Sequence, residues 1–147
     1  MLPDFHKFKQ DTSAVSTTAL KPDPSSMNVK MAAAIVYMAT ANSATSAIPY
    51  GINYWASTSN TYNGVACSFP VTNVIADLMR WDGSKWVRVD GGTSTGYYTS
   101  FVEVWKNKFF PASGSYSTFS QHYGDFPLGA VPPAYYLSRW SNVVYYS

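Results

Sequence analysis

The sequence predicts an all-β fold: a two-sheet antiparallel sandwich of about seven strands, preceded by a non-domain N-terminal leader. Three observations predict it. From Ile48 onward no helical period exceeds two turns, and short runs of alternating apolar and polar residues recur, cut by Gly, Pro, Asn and Asp. Seven or eight such runs fall in about 100 residues, the spacing of a β-sandwich. Hydrophobic residues make up 46% of the 147 and aromatics 17%, enough for one core. No internal repeat is present, which argues against propellers and solenoids.

The first 47 residues read differently. Residues 1–26 are polar and broken by Pro3, Pro22 and Pro24, as in a disordered leader or an upstream extension. Residues 27–47 carry the parts of a secretory signal in order. Lys30 gives a positive start, 31–41 is apolar apart from Thr40, and Ala44 and Ala47 are small residues at cleavage positions. The apolar run is too short to span a membrane, which takes about 20 residues. The competing reading makes 29–41 a buried helix, because Ala32, Ala33, Ala34 and Met38 are good helix formers. The signal reading places the domain at 48–147 and the protein outside the cell, its secreted form beginning near Thr45 or Ile48.

The strands follow in order. The first covers 50–57. In 65–71, Val65, Cys67, Phe69 and Val71 share one face, and Pro70 marks an edge or a strand end. Strands at 74–81 and 85–90 flank Asp82-Gly83, a strong turn signal because both residues tolerate positive φ. Trp81 and Trp86 then face each other across a four-residue loop, and such a pair contributes roughly 0.2–1 kcal/mol over Ala–Ala. The Gly, Ser and Thr of 91–96 predict a flexible loop. A long strand over 97–109 sets Tyr98, Val102 and Val104 against Phe101, Glu103 and Trp105. Strand 115–123, the turn-rich 124–133 and strand 134–146, with a break at Ser141-Asn142, complete the chain.

Cys67 lies on one strand, Trp81 on the next, and Tyr116 follows much later in S-G-S-Y-S-T. This order resembles that of immunoglobulin-like sandwiches, which run Cys, core Trp, then a corner Tyr two residues before a second Cys. Here Thr118 stands at that last position, so the disulfide is absent and the resemblance, over about 48–147, is to an architecture. It implies that Cys67 is a buried core thiol, Trp81 a core indole, and Tyr116 a corner whose hydroxyl bonds to backbone.

Charge narrows the function. Net charge is +2, charged residues are only 12%, and no Lys/Arg cluster stands out, so the field that attracts nucleic acid is missing. One Cys and two His exclude the common zinc sites by count, and no metal or cofactor is expected. The acids after Ile48 are Asp77, Asp82, Asp90, Glu103 and Asp125, and no two have the spacing of a glycosidase pair. Glu103 alone stands out, inside an aromatic strand; its ordinary reading is an exposed position facing Lys106, Lys108 or Arg88. Cys67, His122 and Asp125 can be written as a thiol triad, but Cys67 alternates with core residues. Gly91-Gly92 lacks the spacing and helix of a phosphate loop. No catalytic residue is assigned.

Binding fits better. Twelve Tyr and five Trp exceed one interior, and the pairs Tyr97-Tyr98, Tyr135-Tyr136 and Tyr145-Tyr146 each turn one ring outward. Trp86, Tyr97, Tyr135 and Tyr54 are the candidate ligand contacts, able to stack on sugars or anchor a protein. The expected role is a secreted or cell-surface module binding a glycan or a protein. The alternative is a subunit of a surface layer or filament, self-associating through the closing strand Val143, Val144, Tyr145, Tyr146. A third reading is a small secreted enzyme or toxin.

Overall fold

The computed structural model describes residues 13–18 and 36–147. The rest of the expected leader, and the start of the expected signal segment, lie outside the described residues. The strands are β1 Ser13–Thr18, β2 Val36–Ile48, β3 Gly51–Tyr62, β4 Val65–Ala66, β5 Phe69–Trp81, β6 Trp86–Thr99, β7 Phe101–Phe109, β8 Gly114–Asp125, β9 Ala134–Trp140 and β10 Val144–Tyr146. They form two five-stranded sheets, antiparallel throughout, so the all-β sandwich holds. In sheet A the order is β1-β2-β3, with β4 and β7 on the far side of β3; in sheet B it is β6-β5-β8, with β9 and β10 on the far side of β8. The order β2-β3-β7 against β6-β5-β8-β9 is that of strands A-B-E against C′-C-F-G in the immunoglobulin-like arrangement. Tyr116 is buried near the start of β8 and its hydroxyl donates to the Ala112 carbonyl, as the corner position requires.

Four boundaries differ from expectation. Sheet A includes residues before Ile48, in β2 and in β1, which pairs with β2 from Ser13↔Ala41 to Thr18↔Val36. Strand β2 pairs with β3 from Tyr37↔Tyr62 to Ile48↔Gly51, and Ala39 and Ala41 are fully buried. Tyr37, Ala39, Ala41, Ser43 and Thr45 all point inward, a period of two that the alanine content of this segment masks. Residues 36–41 are therefore strand rather than helix, and cleavage at Ala44 or Ala47 would remove most of β2.

Residues 91–96 belong to β6 rather than to a loop. Their glycines answer to crowding where the two sheets meet. A Cβ on Gly96 would lie 2.7 Å from Val102 Cγ1, and one on Gly92 would lie 3.0 Å from Val104 Cγ1. The long strand expected over 97–109 breaks at Ser100, where the chain crosses from the edge of sheet B to the edge of sheet A. Tyr98 takes a left-handed φ of 49° before the crossing, and the Ser100 carbonyl accepts from the Asn60 amide at 2.8 Å. Phe69–Trp81 is one strand, and Pro70 sits near its start, before the ladder with β8 begins at Val71.

The interior is divided. One apolar cluster joins Ile52, Tyr54 and Ala56 of β3 to Val74, Ala76 and Leu78 of β5 and to Val102 and Val104 of β7. A second gathers Tyr37, Ala39, Phe69, Phe126, Ala130 and Tyr135. Polar residues are buried as well. Thr45 Oγ1 lies 2.6 Å from both Thr118 Oγ1 and Ser141 Oγ, and Asn60 Nδ2 donates to Thr72 Oγ1 at 2.8 Å. His122, with no exposed surface, has Nδ1 2.8 Å from Thr58 Oγ1 and Nε2 2.7 Å from Ser120 Oγ.

Candidate functional site

Strand parity builds the site on the outer face of sheet A. Val102 and Val104 are buried, so Phe101, Glu103 and Trp105 of β7 face outward. On β3, Ile52, Tyr54, Ala56 and Thr58 face the core, which sets Asn53, Trp55 and Ser59 outward. The register aligns Trp55 with Trp105, Ser57 with Glu103 and Ser59 with Phe101. On the other side of β3, Asn42 of β2 stands opposite Ser57.

Large rings at the two ends and small serines between them leave a shallow groove of about 370 Å³, lined by Trp55, Trp105, Phe101, Glu103, Asn42 and Asn53 among others. Trp105 is 60% exposed and Phe101 47%. Asn53 is held by two hydrogen bonds, its Nδ2 donating to the Lys106 carbonyl at 3.2 Å and to Asn107 Oδ1 at 3.0 Å.

Glu103 is exposed, as expected, but its neighbours are not the expected cations. Lys106 has the opposite parity: its Nζ donates to the Gly91 carbonyl at 2.9 Å and lies 3.7 Å from Asp90. Arg88 pairs with Asp77 at 2.8 Å. Glu103 forms no ion pair among the described residues.

The sequence-expected contacts separate. Tyr97 is 70% exposed but is not part of the groove lining. Tyr54 is fully buried and donates to Asp90 Oδ2 at 2.6 Å; burial and this carboxylate push its hydroxyl far above the ordinary tyrosine range. Burial alone would raise Asp90, but the Tyr54 hydroxyl and the Lys106 charge bring it below the usual carboxylate value. Tyr135 is buried too, its ring 5.2 Å from Phe126, and burial pushes it to about 12; its neighbour Tyr136 is the outward ring of that pair. Neither Tyr54 nor Tyr135 can meet a ligand in this fold.

Trp86 is half-buried on the outer side of sheet B, 5.6 Å from Trp81 and 5.4 Å from Trp140, which itself lies 5.0 Å from Phe119. Trp81 is thus not the core indole of the immunoglobulin pattern but one ring of an external stack that closes the β5–β6 hairpin. That hairpin forms as expected. Trp81 pairs with Trp86, and Asp82 Oδ1 accepts from the amides of Ser84 at 2.8 Å and Lys85 at 2.9 Å. Cys67 falls between β4 and β5, half-buried against the second apolar cluster, and burial pushes its thiol up. The thiol triad does not form: both ring nitrogens of His122 face Thr58 and Ser120, and Asp125 is exposed on the opposite face of β8.

Sequence reasoning missed Trp55, Trp105 and Phe101 as a site. The alternation Phe101-x-Glu103-x-Trp105 was the available signal, but Trp55 joins it only through the pairing of β3 with β7. Among the described residues no group of His, Cys, Asp and Glu could hold a metal ion, and no helix is long and apolar enough to cross a membrane. No family model, curated protein or solved structure matches this chain.

Proposed function

We propose that the chain is a glycan-binding module that acts outside the cell through the outer face of sheet A. The observation that carries this reading is the cross-strand pair Trp55–Trp105, with Phe101 beyond Glu103 on the same face. Aromatic faces offer rigid apolar area to the C–H surface of a sugar ring. Asn42, Asn53 and Glu103 supply amide and carboxylate groups for hydroxyls around it. The groove is open and shallow, which suits a chain laid across it better than an enclosed small molecule. The low charge content and the abundance of Ser, Thr, Asn and Tyr agree with an extracellular setting.

Retention in polysaccharide-containing gels tests the reading. Trp105→Ala removes an exposed ring and leaves the fold intact by circular dichroism. Its retention falls about tenfold, the scale of a stacking contact of 1–2 kcal/mol. Tyr136→Ala, which removes an exposed ring from sheet B, leaves retention unchanged. Equal retention of wild type and Trp105→Ala on every polysaccharide tried refutes the proposal.

A further inference from the structure

We infer that the groove selects glycans bearing protonated amines, an amino-sugar polymer rather than a neutral or acidic one; this rests on the glycan reading above. Glu103 stands midway between Phe101 and Trp105 on one face of β7, with Ser57 and Asn42 across from it. No Lys, Arg or His lines the groove.

Three of the other four carboxylates among the described residues are answered locally: Asp77 by Arg88, Asp90 by Tyr54 and Lys106, Asp82 by its own turn amides; Asp125 is exposed on β8 and is not part of the groove lining. Glu103 has no such partner among the described residues, and it is flanked by rings whose faces are electron-rich. A cation satisfies both at once. It forms a charge-assisted hydrogen bond to the carboxylate and is attracted to the ring faces. An anionic sugar meets the carboxylate with like charge and no compensating base.

Spacing agrees with an oligomer. Phe101 and Trp105 are four residues apart on an extended strand, roughly 13 Å, longer than one sugar ring. Glu103 falls at the middle of that span, so one amine is read while the flanking rings stack on its neighbours.

The test compares a glucosamine oligomer with its fully N-acetylated counterpart by calorimetry, slightly below neutral pH, where the amines are charged. Wild type binds the glucosamine oligomer about tenfold more tightly, the scale of one charge-assisted contact at a partly exposed site. Added salt narrows the difference. Glu103→Gln abolishes the preference, so that the two oligomers bind the variant with equal affinity. Equal wild-type affinities, or a preference that survives in Glu103→Gln, overturn the inference; if Trp105→Ala then weakens both ligands, the glycan reading stands without it. Failure of both oligomers to bind also overturns the inference. The glycan reading itself falls only if no polysaccharide gel shows retention dependent on Trp105.

Discussion

Acidifying the protein from about pH 8 to about pH 5 removes about 2 kcal/mol of folding stability through His122. The imidazole has no exposed surface and is enclosed by Thr58 and Ser120. Burial, helped by the nearby Arg139 charge, pushes it from the ordinary 6.5 to about 4. The unfolded chain takes up its proton as pH falls through 6.5, whereas the folded chain resists until about 4. Between those values the unfolded state binds more protons. The stability is therefore complete above 6.5 and lost progressively toward 4. A gap of about 2.5 pH units is worth about 3 kcal/mol in total, and about 2 of that is gone by pH 5.

Urea unfolding curves at half-unit steps of pH measure this directly, with a common m-value. His122→Gln is the control: whatever its stability, it lacks the titration and stays flat across the window. Lower titrations, including those of Asp82 and Asp90, lie below it, since both carboxyls are held under their usual range. The reasoning is refuted if the wild-type slope equals that of His122→Gln, or if the His122 ring protons titrate near 6.5 by NMR in the folded protein.

A chain beginning at Ile48 loses β2, and with it Tyr37, Ala39 and Ala41 of the interior; it should show no cooperative thermal transition, whereas a chain beginning at Val36 should. Gly96→Ala places a methyl 2.5 Å from Thr99 Cγ2 and 2.7 Å from Val102 Cγ1, and should cost roughly 1–3 kcal/mol in urea unfolding as an overpacked site. Tyr116→Phe removes the corner hydrogen bond to Ala112 and leaves the ring in place, so a loss of about 1 kcal/mol with unchanged m-value is expected.

Local chemistry was legible and long-range register was not. Asp82-Gly83 between two tryptophans declared its hairpin because turn residues act within a few positions. The break at Ser141-Asn142 was readable for the same reason, whereas the corner at Tyr116 followed from the resemblance to immunoglobulin-like sandwiches. Alternation within 36–48 was present, yet its inward residues are mostly Ala, Ser and Thr, and composition outweighed period. Gly92 and Gly96 read as loop because nothing local announces the close approach of β7. Adjacent tyrosines promised one ring inside and one outside; Tyr97 and Tyr98 are instead both exposed, because the left-handed φ of Tyr98 breaks the alternation, and where the rule holds, which ring is which depends on pairing partners. Tyr135 went in and Tyr136 out because β9 aligns with β8 that way. The groove was hidden more deeply still, since Trp55 and Trp105 are separated along the chain and meet only across a ladder.

The buried hydroxyls and imidazole also bear on how the strands find their alignment. Strands such as β2 and β8, whose inward residues are mostly small or polar, are weakly constrained by shape, and sliding either by two positions keeps every side chain on its own face. Such a slide would not be silent here. It would part Thr58 from His122, and Thr45 from Thr118 and Ser141, stranding hydroxyls in a dry interior at about 1–3 kcal/mol each. The polar contacts between the two sheets thus behave as teeth: they add modestly to the depth of the native minimum and far more to the height of its misaligned neighbours.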